Sequence, residues 1–315
     1  NPKTIQSAKK LLWASLSKKV KRKSLSKIEA KNAIASVKGQ LDYNYFNKVD
    51  VLVEAVFEDM GMKQKILAEV EKFTKNDFIF ATNTSALSIE EIGKFAKHPE
   101  NVIGLHYFSP VSKMPLLEIV KTPKTSASTI ATCYNLGLKQ GKTTIVVNNG
   151  PGFYVNRILA PYLNEAMLLL EEGAGILEID SVMKQYGFPV GPFALLDEVG
   201  IDVGAHVMTG DLAEMFKKRD GALMSKGLLL MNDAGYKGRK NKRGFLAYDS
   251  KGKKRRGKFN PAVGQFFGNP RPKKFNAVEV QLRLSLLLLN EAVLCLQEGI
   301  IESVEDGDLG AIFGI

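Results

Sequence analysis

The sequence predicts an α/β region followed by an all-α region, and three observations support this fold class. Short β-branched and apolar runs alternate with helical patterns over residues 1–149, which is typical of a doubly wound, mostly parallel sheet. After Gly150-Pro151-Gly152, long helical patterns dominate. A helical segment near residue 163 then recurs near residue 289, which indicates a duplicated unit. The length of 315 residues fits two domains.

The elements of the α/β region follow from apolar periodicity and capping residues. Strands are predicted at residues 49–56, 78–81, 102–105, 116–120 and 143–147, each a short apolar run. Helices are predicted at residues 3–24, 62–73 and 126–140, and from residue 88 onward. Ser88 fits the N-cap of the helix that it opens, and Glu91 completes a capping box. The alternation predicts a doubly wound, mostly parallel sheet.

The all-α region is predicted to contain two copies of one helical unit. Helices are predicted at residues 156–172, 177–185 and 193–208. The eleven residues from Leu163 match those from Leu289 at eight positions, and the same offset of 126 carries Asp180 onto Asp306. We therefore divide the chain into a sheet domain at 1–149, a helical domain at 150–250 and a partial second helical copy at 275–315.

Positive charge is concentrated in two segments of the chain. There are 44 Lys and Arg residues against 33 Asp and Glu, a net charge of +11. Residues 1–40 and 237–258 each hold 11 basic residues and one acid, which indicates either a polyanionic partner or plain solvated faces. A nucleic-acid partner is disfavoured, because Trp13 is the only aromatic residue among the first 40 and base stacking needs aromatics between the charges.

Composition argues against membrane-spanning, disulfide-framework and zinc-binding classes. No apolar run reaches the roughly 18 residues that a membrane span requires, and the longest candidate is residues 284–289. Two cysteines, Cys133 and Cys295, are too few for a disulfide framework or a zinc site. We expect both to pack as small apolar residues in a reducing compartment, and no metal centre is predicted.

The strongest local signal is a His–Glu pair. His106 directly follows a short apolar strand, and Glu118 lies twelve residues later in the next predicted strand. Ligands bind at the carboxyl edge of an open α/β sheet, and a carboxylate beside an imidazole makes a general base. A buried histidine satisfied by a carbonyl is the alternative that the spacing leaves open. Ser85 follows a neighbouring strand, and Asn156 opens a long helix as either a cap or a ligand contact.

Several segments together carry a resemblance that runs through nearly the whole chain. They are Val53-Glu54-Ala55-Val56-Phe57-Glu58-Asp59, Ala81-Thr82-Asn83-Thr84-Ser85-Ala86-Leu87, His106-Tyr107-Phe108-Ser109-Pro110, Pro151-Gly152-Phe153-Tyr154-Val155-Asn156-Arg157 and Gly187-Phe188-Pro189-Val190-Gly191-Pro192. With them the chain resembles the L-3-hydroxyacyl-CoA dehydrogenase part of the multifunctional fatty-acid β-oxidation enzymes. The resemblance implies a Rossmann-like NAD-binding domain, a helical dehydrogenase C-terminal domain and a partial second copy of the latter.

The resemblance also implies NAD-dependent oxidation of L-3-hydroxyacyl-CoA to 3-ketoacyl-CoA. His106 would take the proton of the 3-hydroxyl while hydride leaves C3 for NAD. Glu118 would orient His106 and stabilise its charged form. Ser85 and Asn156 would hydrogen-bond the substrate oxygens and hold the reacting carbon against the nicotinamide.

Binding residues for NAD and CoA follow from the same resemblance. The implied NAD contacts are Glu58, Lys63, Ser85 and Ser109, the last at a position where relatives commonly carry Asn. The implied contacts of the phosphorylated end of CoA are Ser15, Lys21, Arg22 and Lys23. These basic residues would account for part of the N-terminal charge.

One departure from the family pattern bears on the expected activity. The family binds the NAD pyrophosphate on a Gly-x-Gly-x-x-Gly loop, and no such loop occurs in this sequence. We expect the first β-α-β unit to be missing before Asn1, so that the Rossmann-like sheet is incomplete, and the second helical copy to stop before it finishes. The 315 residues alone are then predicted to be weakly active or inactive, and a non-catalytic fragment of the family is the alternative function.

The resemblance extends to partners and location. Acyl-CoA is the implied substrate. The helical domain is implied to form a homodimer, as in single-function relatives, or to contact a thiolase β subunit, as in the multifunctional enzymes. A mitochondrial location is implied, either in the matrix or at the inner membrane through a larger complex.

Overall fold

The computed structural model describes residues 1–219 and 223–315 and confirms an α/β region followed by an all-α region. The α/β region is built on a sheet of strands β1 (Val51–Glu54), β2 (Ile79–Thr82), β3 (Val102–Tyr107), β4 (Leu116–Lys121) and β5 (Thr143–Asn148). Their order in the sheet follows the chain. Strands β1 to β3 are parallel, β4 is antiparallel to β3, and β5 is parallel to β4. The sheet is therefore two parallel groups that meet at the β3–β4 pair.

Helices precede the strands, connect them and continue beyond them along the chain. In chain order they are α1 (Pro2–Lys21), α2 (Lys27–Ser36), α3 (Met60–Val70), α4 (Ile89–Ile92), α5 (Ala127–Lys139), α6 (Val155–Glu171), α7 (Ile176–Tyr186), α8 (Pro192–Val199), α9 (Ile201–Val207), α10 (Asp211–Lys217), α11 (Gly227–Asp233), α12 (Ala277–Gln297) and α13 (Val304–Gly314). A small antiparallel hairpin joins β6 (Leu246–Tyr248) to β7 (Lys254–Phe259). None of the helices in the described ranges is long and apolar enough to cross a bilayer.

Local residues explain where the structure departs from the predicted elements. The helix predicted at 193–208 is broken between α8 and α9, because Gly200 adopts φ 112°, a conformation that side-chain-bearing residues rarely reach. Ser88 caps α4 by accepting a hydrogen bond from Glu91 N, but the Glu91 carboxylate pairs with Lys94. A capping box with both reciprocal bonds occurs instead at Ser26, where it starts the unpredicted helix α2.

The chain divides into two compact units. The first comprises residues 1–50 with 69–76, and the second comprises residues 51–68 with 77–315. In the first unit, the ring of Tyr43 stacks on Phe73 at 5.1 Å and meets Phe46 edge-on. The second unit contains the whole sheet and all the helices from α4 onward. The helices that follow residue 150 therefore pack with the sheet in one compact unit.

The two faces of the β3–β4 pair have different roles. Ile103, Leu105, Leu117 and Ile119 belong to a fully buried cluster that also contains Cys133 of α5. Because side chains alternate across a strand, the intervening residues of both strands point to the opposite face. That face carries the candidate functional site.

Candidate functional site

The candidate catalytic pair, His106 and Glu118, is created by strand register. His106 and Glu118 are Cα partners in the antiparallel ladder between β3 and β4, so their side chains lie directly opposite each other on one face. His106 Nδ1 lies 2.5 Å from Glu118 Oε2. Both residues are buried, with 3% of His106 and none of Glu118 exposed. An ionised carboxylate can only accept here, so Nδ1 carries the hydrogen and Nε2 is left as the basic nitrogen.

The other oxygen of Glu118 is held by the start of helix α6. Glu118 Oε1 accepts hydrogen bonds from Tyr154 N at 3.2 Å and from Val155 N at 2.9 Å. These amides belong to the first turn of the helix, where N–H groups have no intrahelical acceptor and the helix dipole favours negative charge. The arrangement holds the buried carboxylate with charge-assisted hydrogen bonds from three donors.

Ser85 and Asn156 complete the group around the imidazole. Ser85 Oγ lies 3.1 Å from His106 Nε2, and Asn156 Nδ2 donates to the carbonyl of Ser85 at 2.9 Å. The rings of Phe108 and Phe153 lie beside the imidazole, with centroids at 4.4 and 5.7 Å. The four residues predicted to be catalytic are therefore brought together by β3, β4, the turn after β2, and α6.

A second polar cluster supports the turn that carries Ser85. Glu58 Oε1 accepts a hydrogen bond from Ser85 N at 3.0 Å and another from the Thr84 hydroxyl. Asn83 Oδ1 accepts from Tyr107 N at 3.1 Å, which ties the same turn to the end of β3. The turn is therefore fixed from both sides before any ligand binds.

Lys63 lies beneath this cluster and is completely buried. Its Nζ is 3.0 Å from both carboxylate oxygens of Glu54 and 3.2 Å from the carbonyl of Asn83. Glu58 Oε2 is 3.7 Å away. In this arrangement Lys63 compensates a buried carboxylate at the end of β1, so the structure gives it an interior contact that the sequence analysis did not predict.

Glu54 is a site residue that sequence reasoning missed. It is 3% exposed, and its Oε2 also accepts from the Thr82 hydroxyl at 2.7 Å. A signal was present, because an acid that closes an apolar strand, Val51-Leu52-Val53, needs a buried partner. Lys63, nine residues later, is that partner.

The remaining predicted binding residues are exposed. Ser109 lies two residues beyond the end of β3, on the surface. Ser15, Lys21, Arg22 and Lys23 lie on and just after α1 and are also exposed. These four belong to the first compact unit, whereas the catalytic group belongs to the second.

Chemically, the group is a base whose Nε2 contacts only the hydroxyl of Ser85 among the described residues. Nε2 of His106 can accept a proton, and the positive charge that then develops is compensated by Glu118 at 2.5 Å. Ser85 Oγ and the Asn156 amide provide hydrogen-bonding groups on the same side. Proton transfer to or from a hydroxyl held near Nε2 is the chemistry that this geometry supports.

Comparison with known proteins gives two family matches that together cover most of the chain. Residues 1–150 match the NAD-binding domain of 3-hydroxyacyl-CoA dehydrogenase, and residues 152–248 match its C-terminal domain. The (S)-3-hydroxybutyryl-CoA dehydrogenase PaaH1 of Ralstonia eutropha is 35% identical, covering 75% of this chain and 84% of its own, with a TM-score of 0.71. FadB2 of M. tuberculosis is 31% identical, covering 78% and 87%, with a TM-score of 0.72.

The chain belongs to the 3-hydroxyacyl-CoA dehydrogenase family. A third solved structure, the dehydrogenase part of multifunctional enzyme 1 from C. elegans, is 28% identical. That similarity covers 98% of this chain and 69% of the other, with a TM-score of 0.62. The matched NAD-binding domain indicates NAD as the cofactor.

The residues near the catalytic group fit one half of NAD better than the other. Glu58, with 30% of its side chain exposed, accepts a hydrogen bond from Ser85 N. A partly exposed carboxylate beside the Ser85 turn can accept a hydrogen bond from a ribose hydroxyl of the nicotinamide half. For the pyrophosphate half, the sequence supplies no Gly-x-Gly-x-x-Gly loop. The residues near Ser85 therefore fit the nicotinamide half of NAD, which is the half that accepts the hydride.

Proposed function

We propose that this 3-hydroxyacyl-CoA dehydrogenase family member oxidises L-3-hydroxyacyl-CoA to 3-ketoacyl-CoA with NAD. One observation carries the proposal: His106 is held between Glu118 at 2.5 Å and Ser85 at 3.1 Å, at the carboxyl end of β3. Relatives such as the (S)-3-hydroxybutyryl-CoA dehydrogenase PaaH1 support this substrate class.

The proposed mechanism assigns one task to each residue. NAD supplies a hydride acceptor when bound. His106 Nε2 takes the proton of the 3-hydroxyl, and Glu118 stabilises the resulting imidazolium. Ser85 Oγ and Asn156 Nδ2 hydrogen-bond the substrate oxygens, and Glu58 keeps the Ser85 turn in place. The rings of Phe108 and Phe153 exclude water from the imidazole.

The test is an activity measurement with a single-residue control. Purified protein is mixed with NADH and acetoacetyl-CoA, and the loss of NADH absorbance is followed for the wild type and for His106→Ala. We expect weak turnover in the wild type and a further loss of about a hundredfold or more in the variant, because general acid–base catalysis contributes that much. Equal rates for the two proteins would refute the proposed role of His106.

A second candidate function is a non-catalytic member of the family. It is favoured by the missing pyrophosphate loop, since each charge-assisted hydrogen bond lost there weakens binding by about 1.5–3 kcal/mol. Losing two such bonds lowers NAD affinity by about a hundredfold or more. Folded protein without turnover, and without NADH fluorescence enhancement at high NADH concentration, would favour this candidate.

We further propose a biological setting for the dehydrogenase activity. The setting would be that of the α subunit of the mitochondrial trifunctional protein, in fatty-acid β-oxidation, and it rests on the resemblance of the sequence motifs. The similarity to a multifunctional enzyme of C. elegans is in line with this setting. In it, residues 1–149 would bind NAD, residues 150–250 would contact acyl-CoA, and residues 275–315 would belong to the second helical copy.

Partners in that setting would be a second copy of the chain or a thiolase β subunit at the inner mitochondrial membrane. CoA phosphates would bind at Lys21, Arg22 and Lys23, with Ser15 nearby. Replacing the three basic residues with Gln should raise the KM for acyl-CoA and leave the KM for NADH unchanged. An unchanged KM for acyl-CoA would contradict the assignment.

A further inference from the structure

The first turn of α6 touches the catalytic group on one side. The amides of Tyr154 and Val155 donate to Glu118, and the side chain of Asn156 donates to the carbonyl of Ser85. The position of this one turn therefore sets the position of the carboxylate that orients His106. Any element that fixes the turn also fixes the catalytic pair.

On its other side the same turn packs against α13. Burial raises the pKa of the Tyr154 phenol, so the hydroxyl stays protonated and donates to the carbonyl of Gly307 at 3.0 Å. A Cβ added at Gly310 would lie 2.7 Å from the Tyr154 ring, and one added at Gly314 would lie 2.8 Å from Val155. The three glycines share one helix face, so α13 packs against the turn at distances that a side chain at Gly310 or Gly314 would prevent.

Arg157, the next residue of the turn, is clamped by α12. Only 1% of it is exposed, and Nε donates to Glu291 Oε1 at 2.7 Å. Its Nη2 donates to Glu298 Oε2 at 2.5 Å. Glu291 is itself 1% exposed and also pairs with Arg219. A buried arginine with two carboxylate partners fixes the helix rotation far more firmly than a surface ion pair.

The contacts of Arg157 with Glu291 and Glu298, which we call the Arg157 clamp, have a duplicate at the other end of the same helix pair. At the repeat offset of 126 residues, Arg157 corresponds to Arg283, and its partners Glu291 and Glu298 correspond to Glu165 and Glu172. The second clamp exists: Arg283 Nε donates to Glu165 at 2.6 Å, and its Nη atoms donate to Glu172 at 2.8 and 2.5 Å. Helices α6 and α12 are thus joined by two clamps of the same composition. The arginine lies on α6 in the first clamp and on α12 in the second.

Only one of the two clamps adjoins the catalytic group. Arg157 directly follows Asn156, whereas Arg283 lies on α12 and holds carboxylates of the later turns of α6. The duplication therefore separates two effects that normally coincide: joining the helices, which both clamps do, and positioning the first turn of α6, which only the Arg157 clamp does.

We propose that Arg157 and Tyr154 are positioning residues, through which the second helical copy (α12–α13) holds Glu118, and hence His106, in the reactive geometry. The inference rests on the proposed dehydrogenase function for its kinetic readout. Without the clamp, the first turn of α6 shifts, the two amides leave Glu118 Oε1, and the imidazole loses its fixed orientation. Misplacement by about 1 Å costs up to a hundredfold in rate.

The experiment compares Arg157→Lys with Arg283→Lys. Each variant keeps the charge and removes one guanidinium fork between α6 and α12. For Arg157→Lys we expect kcat to fall by roughly tenfold to a hundredfold, with KM values for NADH and acetoacetyl-CoA within about twofold of wild type. For Arg283→Lys we expect an unchanged kcat. Equal kcat values for the two variants would overturn the proposal, whatever their melting temperatures.

A milder pair of variants covers the case in which Arg157→Lys does not fold. Glu298→Gln and Glu172→Gln remove corresponding carboxylates whose side chains are 46% and 42% exposed, so both proteins are expected to fold. Glu298→Gln should lower kcat by a few fold, and Glu172→Gln should leave it unchanged. The same kcat in both would overturn the proposal.

A spectroscopic readout keeps this test separate from that of the proposed function. The chain has three histidines, and His98→Gln and His206→Gln variants assign the imidazole NMR signals by elimination. The Nδ1 proton of His106, in its 2.5 Å hydrogen bond, should resonate far downfield in wild type and in Arg283→Lys. It should move or disappear in Arg157→Lys. An unmoved signal would refute positioning even if no turnover were found, whereas absent wild-type turnover with a moved signal would refute only the proposed function.

Discussion

Replacing Glu118 with Gln tests the catalytic pair most directly, because the structure fixes which way the amide must face. Glu118 receives three donors: the amides of Tyr154 and Val155 on one oxygen and His106 Nδ1 on the other. A Gln side chain has one acceptor oxygen and one NH₂ group. Turning the NH₂ toward the helix would strand two buried amides at about 1–3 kcal/mol each, so the oxygen stays with them.

In the Glu118→Gln variant, the NH₂ group of the new side chain would then face His106 and force its Nδ1 to accept. The ring hydrogen moves to Nε2, and the atom that should take the substrate proton already carries one. An equivalent tautomer error in a Ser-His-Asp triad lowers kcat by about 10⁴-fold, which is about 5.5 kcal/mol of activation free energy. We expect kcat for oxidation of L-3-hydroxybutyryl-CoA by NAD to fall by about 10³–10⁴-fold, with little change in melting temperature.

The chain offers a matched control for this variant. His98 and Glu100 form a second His–Glu contact, with Nδ1 3.2 Å from Oε1, but 36% and 48% of their side chains are exposed. Glu100→Gln should leave kcat unchanged. If Glu118→Gln kept more than about a tenth of the wild-type kcat, the assignment of His106 as a base oriented by Glu118 would be wrong.

Three further predictions concern packing and reactivity. Tyr162 has a buried hydroxyl with no hydrogen-bond partner among the described residues, so Tyr162→Phe should leave the free energy of unfolding unchanged or raise it by up to about 1 kcal/mol; a clear loss in denaturant melts would contradict this. Gly310→Ala should destabilise by about 1–3 kcal/mol, although Ala normally favours helices, because its Cβ would lie 2.7 Å from the Tyr154 ring; a raised melting temperature would contradict it. Burial raises the pKa of Cys133 and of Cys295 to about 12, so mass spectrometry should find iodoacetamide labels only after unfolding, and rapid labelling of native protein would show that the thiols are accessible.

The His–Glu pair illustrates what could be predicted from the sequence. A histidine directly after one strand and a glutamate twelve residues later in the next suffice to place both at one sheet edge if the two strands form a hairpin. The structure supplies that condition, because β3 and β4 are antiparallel and pair His106 with Glu118. Alternation then places both side chains on the same face. The sequence alone left this register open.

Other features could not be predicted because they depend on contacts between distant parts of the chain. Lys63 is implied by the resemblance to contact NAD, yet it is buried against Glu54 and the carbonyl of Asn83. Likewise, the repeat at Leu289 is visible in the sequence, but nothing local indicates that Glu291 binds Arg157, 134 residues earlier. Packing of this kind is decided by tertiary geometry and not by periodicity.

Comparison of the two helical copies separates residues that hold the fold from those that face a ligand. The clamp is kept in both, with an arginine at 157 and at 283 and paired glutamates on the opposite helix. Asn156, which contacts the Ser85 turn, corresponds at the same offset to Leu282, which is 47% exposed. The second copy thus retains the groups that join α6 to α12 and lacks the group that would contact substrate. A helical copy that keeps its interface residues but lacks the polar ligand group is suited to hold another element in place. In this chain the element that it holds is the first turn of α6.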